Sequence, residues 1–172
     1  MKKLTVVLII SILSVSASAQ KYNLGIGGRA GKFHSGLSLK FFSNTDNATG
    51  FQIEVMYANI ASGGLVAKGF FIKQLPFKVP IIQLPLDLVL GAGAHVGFFP
   101  YASQGYYKIV DGEADFYKSA VLTLGVDATA QIEYKIPRVP ITFTIDVTPF
   151  YEFVNKGPEI VDFGASLRYV FK

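Results

Sequence analysis

The 172-residue chain contains no cysteine and only two histidines. Without cysteine there is no disulfide frame, no acylated N-terminal thiol and no need for an oxidising compartment. Two histidines without cysteine make a poor metal site, so neither a metal nor a cofactor is expected. Beyond the N-terminus no apolar run is long enough to cross a bilayer as a helix. No basic run or aromatic–basic stripe points to a nucleic-acid partner. The formal charge is +4, and setting aside Lys2 and Lys3 leaves +2, so the basic balance argues little for an anionic partner. Yet the chain is 51% hydrophobic. High apolarity without a spanning helix leaves a soluble β-rich domain or a transmembrane barrel, because only helices and closed barrels satisfy their backbone in lipid.

The N-terminus has the pattern of an export signal. Lys2 and Lys3 form a positive start, Leu4–Val15 is mostly apolar, and Ala17-Ser18-Ala19 fits an A-x-A cleavage site. Residues 1–19 are therefore expected to be removed, leaving one domain over 20–172. Gly, Pro and Asn clusters then punctuate eight strands: Tyr22–Gly31, His34–Phe42, Gly50–Ile60, Leu65–Leu75, Leu86–Phe99, Ala120–Ile136, Ile141–Phe153 and Asp162–Phe171. The spacing suits hairpins throughout, so the fold class expected is all-β, an eight-stranded antiparallel up-and-down transmembrane barrel.

Alternation along the strands bears on inside and outside. Leu86, Leu88, Leu90, Ala92, Ala94, Val96 and Phe98 share one face, opposite Asp87, Gly91, Gly93, His95 and Gly97. Leu122, Leu124, Val126, Ala128, Ala130, Ile132 and Tyr134 oppose Thr123, Asp127, Thr129, Gln131 and Glu133. Ile141, Phe143, Ile145, Val147 and Tyr151 oppose Thr142, Thr144, Asp146, Thr148 and Glu152. In the closing strand Phe163, Leu167, Tyr169 and Phe171 oppose Asp162, Ser166 and Arg168. Alternation alone fits a soluble barrel turned the other way. Two features favour lipid outside. Aromatics gather near strand ends, where an interfacial girdle belongs: Phe41, Phe42, Phe98, Phe99, Tyr134, Tyr151, Phe153, Tyr169 and Phe171. The polar faces also carry both signs, with Arg29, Lys40, Lys68 and Arg168 against Glu54, Asp127, Glu133 and Asp146, a set that a small lumen can pair. In the fourth strand Val66, Phe70 and Ile72 share the inner face with Lys68, and a bulge there is expected to shift the register.

An even strand number puts both termini on one side, which after export is the periplasm. Periplasmic turns then fall at Ser43–Thr49, Pro76–Pro85 and Pro137–Pro140. External loops fall at Gly31–Phe33, Ala61–Gly64, Pro100–Ser119 and Val154–Val161, of which the third is much the longest.

Gly91-Ala-Gly-Ala-His-Val-Gly97 with Phe98-Phe99, Glu133-Tyr-Lys-Ile-Pro-Arg-Val-Pro140 with Asp146 and Pro149, and Gly164-Ala-Ser-Leu-Arg-Tyr-Val-Phe171 carry a resemblance. They resemble strands of small outer-membrane β-barrel proteins of Bacteroidota, which share the architecture of OmpA- and OmpX-like barrels. The resemblance implies a place in a Gram-negative outer membrane, outer-membrane lipid as surroundings and the barrel assembly machinery as a partner in biogenesis. Most members of that family have no assigned activity.

Catalytic signals are weak. His34 and Ser35 are adjacent, but neighbouring residues in a strand point to opposite faces. His95, mid-strand among glycines, reads as a packed lumen residue before a base. Gly25-Ile-Gly-Gly-Arg29 lacks the helix that a phosphate loop needs, and the sequon Asn47-Ala-Thr49 falls in a turn assigned to the periplasm. The expected structural network is Arg29, Lys40, Glu54, His95, Asp127, Glu133, Asp146 and Arg168, with Arg168 turned towards acids of the third, sixth or seventh strand. In the third external loop Tyr101, Tyr106, Tyr107, Phe116 and Tyr117 offer anchors for an extracellular ligand, against the plainer reading of interfacial anchoring and a mobile tip. The sequence therefore points to a non-enzymatic, monomeric outer-membrane barrel with a side-chain-filled lumen and a structural or surface-interaction role. Its rivals are a narrow, porin-like channel or small-molecule binder, an outer-leaflet lipid enzyme using His34, and a soluble exported barrel.

Overall fold

The structure is a computed structural model that describes residues 22–44, 48–59, 63–78, 85–100, 107–110, 113–116, 119–155 and 160–171. The segment expected to be an export signal lies outside them. Eight strands close into a barrel: β1 (Leu24–Gly31), β2 (His34–Asn44), β3 (Thr49–Ala58), β4 (Leu65–Lys78), β5 (Pro85–Phe99), β8 (Val121–Lys135), β9 (Ile141–Val154) and β10 (Val161–Phe171). Each is antiparallel to the next, and β1 pairs with both β2 and β10 to seal the wall. The barrel expected from the sequence is thus the one formed, with strand ends displaced by a few residues.

Three expectations need correction. The fourth strand carries no bulge: β4 runs in unbroken register with β3 from Thr49↔Lys73 to Tyr57↔Leu65 and with β5 from Leu65↔Phe98 to Lys78↔Pro85. Its apolar inner residues stay inward because other apolar lumen residues meet them, and the register shifts instead between Phe42 and Asn44 and at Leu124/Gly125. Second, the long loop after β5 is not irregular throughout. It holds a hairpin of β6 (Tyr107–Val110) and β7 (Glu113–Phe116), with Tyr107 opposite Phe116. Third, Phe42 and Phe99 do not belong to the outer girdle; alternation turns both inward, and both are buried.

The register fixes the tilt. Followed from strand to strand, one row of partners reads Glu152, Gly125, His95, Lys68, Glu54, Ser38, Gly27, Arg168 and Thr142. It leaves β9 at residue 152 and returns to β9 at residue 142, a stagger of 152 − 142 = 10 residues. Ten residues at ~3.3 Å against eight strands spaced ~4.8 Å apart tilt the strands by roughly 40°.

The two surfaces of the wall are opposite in kind. Outside stand Leu37, Phe51, Ile53, Val55, Phe71, Leu122, Val126, Ile145, Phe163 and Leu167, all exposed. Inside, Arg29, Lys40, Glu54, Lys68, His95, Asp127, Glu133, Asp146, Asp162 and Arg168 are all buried. Apolar outside and ionic inside is the sense of a barrel whose solvent is lipid, and the inverse of a water-soluble one.

Outward residues should accordingly be intolerant of charge. Leu167→Lys, on the outer face of the closing strand, should lower the unfolding free energy in lipid vesicles by about 2–4 kcal/mol if it lies near the midplane, whereas the buried Ser166→Ala should be mild. Denaturant unfolding of both variants checks this, and the reverse ranking would mean that the barrel's outer face does not meet lipid.

Candidate functional site: the ionic lumen

Each lumen residue faces inward because it occupies the same parity of an alternating strand, and the tilt decides which distant partner it meets. The barrel end carrying the chain termini is here the terminal end, and the opposite one the loop end. The lumen also holds two apolar clusters. Tyr22, Phe42, Phe70, Ile72, Val89 and Val170 cluster towards the terminal end, and Ala58, Val66, Phe99 and Val121 at the loop end. The polar groups run from the terminal end towards the loop end.

Near the terminal end, Lys40 Nζ lies 2.8 Å from Glu133 Oε2 and donates to Gln131 Oε1 at 3.1 Å. Neither side chain of that ion pair is exposed at all. Glu133 also accepts from Tyr22 Oη at 3.0 Å and from Gln74 Nε2 at 3.3 Å. Gln74 passes the chain on to Asp87 at 2.7 Å, which pairs with Lys135 at 2.8 Å. Such density of partners is what a buried charge requires, since an unpaired one costs several kcal/mol.

Arg168 departs from the expected pairing with acids. Its guanidinium donates to hydroxyls instead: Ser38 at 2.9 Å, Thr144 at 3.0 Å and Ser166 at 3.2 Å. Ser38 in turn donates to Glu54 Oε1 at 3.3 Å, and Glu54 accepts from Gln52 at 2.8 Å. Glu54 is thus linked to Arg168 through one hydroxyl. The reason is local geometry: Arg168 pairs with Gly27, which pairs with Ser38 on the next strand, so the guanidinium meets the Ser38 hydroxyl across a position that has no side chain.

Towards the loop end, the Arg29 fork holds two acids. Nη2 lies 2.6 Å from Asp146 Oδ1, Nη1 lies 2.8 Å from Asp162 Oδ2, and Nη1 also donates to the His34 carbonyl at 3.0 Å. Gly164 makes room for this fork, because a Cβ there would stand 2.6 Å from Arg29 Nη2. Asp162 further accepts from the Phe33 backbone N–H at 2.9 Å and faces His34 Nδ1 at 3.3 Å. Beside it, His95 Nδ1 lies 2.7 Å from Asp127 Oδ2, with Lys68 Nζ 3.5 Å from the other oxygen of Asp127 and Glu152 Oε1 3.7 Å from His95 Nε2. The Phe150 ring stands between the two histidines, at 5.8 Å from each.

All eight residues expected in the lumen network are inside; hydrogen bonds through Gln52, Gln131, Thr129 and Thr148 join the groups around Lys40, Arg168 and Arg29, and the His95 group lies across the Phe150 ring from His34. Tyr22, Gln52, Gln74, Gln131, Phe150 and Asp162 complete them; of these Gln131 and Asp162 were legible from parity, while Tyr22 precedes the first strand and Phe150 interrupts a polar face. His34 and Ser35 diverge as alternation demands. His34 turns to Asp162 in the lumen, while Ser35 Oγ accepts from Asn59 Nδ2 at 2.7 Å and from the Gly31 N–H at 3.2 Å. Among the described residues no group of three or more His, Cys, Asp or Glu is arranged to hold a metal. Of the loop aromatics, Tyr107 and Phe116 sit on the β6–β7 hairpin, while Tyr101, Tyr106 and Tyr117 lie outside the described residues, as does Asn47.

No protein-family model and no curated protein matches the chain. Two solved structures resemble it. One is the N-terminal β-barrel domain of Pseudomonas aeruginosa OprF, with a TM-score of 0.59, 12% identity, and coverage of 87% of this chain and 100% of that one. The other is Neisserial surface protein A (NspA), with a TM-score of 0.50, 12% identity, and coverage of 86% of this chain and 93% of that one. At this identity the likeness concerns the fold, and it extends over nearly the whole of both barrels.

The Lys40–Glu133 pair gives a direct test of the terminal-end set. Glu133→Gln leaves the Lys40 ammonium buried without its counter-ion and should cost about 3–5 kcal/mol. Adding Lys40→Met should restore much of that loss. A double-mutant cycle on denaturant unfolding measures the coupling, and additive losses would show that the two side chains do not interact.

Proposed function

We propose that this chain is an integral outer-membrane β-barrel protein of a Gram-negative bacterium, with a structural or surface-interaction role and no enzymatic activity. The observation that carries the reading is the wall's polarity: large apolar side chains exposed all round a closed barrel, over a lumen of buried ion pairs. Placing that exterior in water would expose far more contiguous apolar surface than a soluble monomer carries. Lipid covers it without a partner, and closure removes the edges that lipid cannot satisfy. The buried apolar clusters and the buried polar network together support a lumen filled by side chains in preference to a diffusion pore. The name of one structural neighbour, Neisserial surface protein A, is in keeping with a surface role. The motifs shared with small barrels of Bacteroidota suggest the kind of host, with the barrel assembly machinery as the partner in biogenesis.

Even strand number and export place both termini in the periplasm in this reading, so that the loop end faces outward. The β6–β7 hairpin then projects from the outer surface, where Glu113 and Asp115 are exposed, and the 100–119 segment is the place for an extracellular ligand. The barrel acts as a monomer. Both His34 and His95 are engaged by carboxylates, which fits a structural part for them better than an outer-leaflet lipid enzyme or a ligand site.

Membrane fractionation with gel mobility tests the reading. The protein should sediment with the outer membrane, and its unheated form should migrate faster in detergent gels than the boiled form. Release into the periplasmic fraction without detergent would overturn the location. In planar bilayers the purified protein should give no large, stable unit currents; such currents would overturn the filled lumen and leave the location standing.

A further inference from the structure

The row of register partners that crosses β4, β5, β8 and β9 reads Lys68, His95, Gly125 and Glu152. Its third member has no side chain. The imidazole of His95 lies over Gly125, in the space that a Cβ would need, and the β8–β9 register shifts beside it, with the extra residue, Phe153, on β9. A glycine inside a strand commonly marks the close approach of another group. Here it provides a seat from which one ring reaches acids on two strands: Asp127 Oδ2 on β8, 2.7 Å from Nδ1, and Glu152 Oε1 on β9, 3.7 Å from Nε2.

That geometry has a protonation state written into it. A neutral imidazole has one N–H and one lone pair, so one of two facing carboxylates would meet a lone pair. An imidazolium turns an N–H to each, in a hydrogen bond to Asp127 at 2.7 Å and a longer ion-pair contact to Glu152 at 3.7 Å. Among the described residues Lys68 on β4 also faces this group, 3.5 Å from Asp127, the acid that lies nearest the ring. Beyond the Phe150 ring lie His34 on β2, Arg29 on β1, Asp146 on β9 and Asp162 on β10, where Arg29 already binds both acids. His34 differs from His95. It faces one carboxylate, Asp162, which also holds Arg29 at 2.8 Å and the Phe33 N–H at 2.9 Å.

We propose that His95 is a proton-operated latch: as an imidazolium it ties β5 to β8 and β9 near the loop end of the lumen, and loss of its proton loosens that end of the plug. The latch needs only the filled lumen. That it responds to the pH of the medium, and not of the periplasm, rests on the topology proposed above, in which the loop end faces outward.

The sign follows from linkage. A proton bound more tightly by the folded barrel than by the unfolded chain stabilises fully below the unfolded imidazole value, about 6.5, and that contribution is lost as the pH rises and the proton leaves the folded state. The full chain, folded in detergent micelles, is titrated between mildly acidic and strongly alkaline pH by denaturant unfolding. The wild type should lose stability across the imidazolium deprotonation, by roughly tenfold or more in the unfolding constant. H34Q should keep that loss, and H95Q should abolish it. E152Q should keep the loss but move it to lower pH, because one of the two acids that hold the proton is gone. Ring-nitrogen NMR of histidine-labelled wild type reads the same state without mutation: both His95 nitrogens should carry protons at neutral pH. A neutral His95 ring at that pH, or an H95Q profile that matches the wild type, would overturn the latch. Should H95Q fail to fold, the ring-nitrogen spectrum and E152Q decide the matter. Fractionation and bilayer currents test the membrane reading separately, so either proposal can fall without the other.

Discussion

The constraint on which the rest depends is the stagger of ten residues on closing eight strands. A closed wall with a fixed stagger leaves no freedom in which side chains share the lumen and at what height. Once Leu24 pairs with both Phe41 and Phe171, the whole inner surface is set. Polar groups that the sequence places 93 to 117 positions apart become neighbours: Arg29 with Asp146, Lys40 with Glu133, Tyr22 with Glu133. The lumen is narrow, so each charge must find its counter-ion there or remain unpaired, and an unpaired buried charge would cost more than a domain of this size can spare.

The lumen meets that demand in two ways. Most cations meet carboxylates directly. Arg168 meets hydroxyls, with Ser38 as the link to Glu54. Hydroxyls can both donate and accept, so they pass charge-assisted hydrogen bonding along where the tilt does not bring acid and base into contact. Glycine has the complementary part. Gly125 admits the imidazole of His95, and Gly164 admits the guanidinium of Arg29. At both positions the absent side chain is as specific a feature as the charged group that fills the space. Apolar clusters share this lumen with the charges, so the inside is a mixture of both and not one continuous hydrophobic core.

Several sequence expectations failed for identifiable reasons. Phe42 and Phe99 looked like girdle residues because they stand beside Phe41 and Phe98 at strand ends, yet parity turns them inward to the apolar clusters. The suspected bulge in β4 arose from reading Val66, Phe70 and Ile72 as misfits in a polar lumen; they are part of its apolar clusters. The hairpin of β6 and β7 was missed because the segment from Tyr101 to Lys118 has no sustained alternation. Phe150 was missed for the same kind of reason, as an apolar residue on a face read as polar, although it separates the two histidines.

By itself the sequence determined the number of barrel strands, their antiparallel order, and which face of each strand is polar, because a period of two is a local property that any window of about ten residues displays. Alternation by itself could not choose between lipid outside and water outside, since it is symmetric under inversion; the aromatic positions and mixed charges favoured lipid, and closure puts the polar face inward. The sequence could also supply the inward charges, but not pair them. Pairing across a barrel depends on the register between strands and on the stagger at closure, which are properties of the sheet as a whole. For that reason His95 read from the sequence as one packed histidine among glycines, and only the closed barrel set it between two acids, over the one glycine that leaves it room.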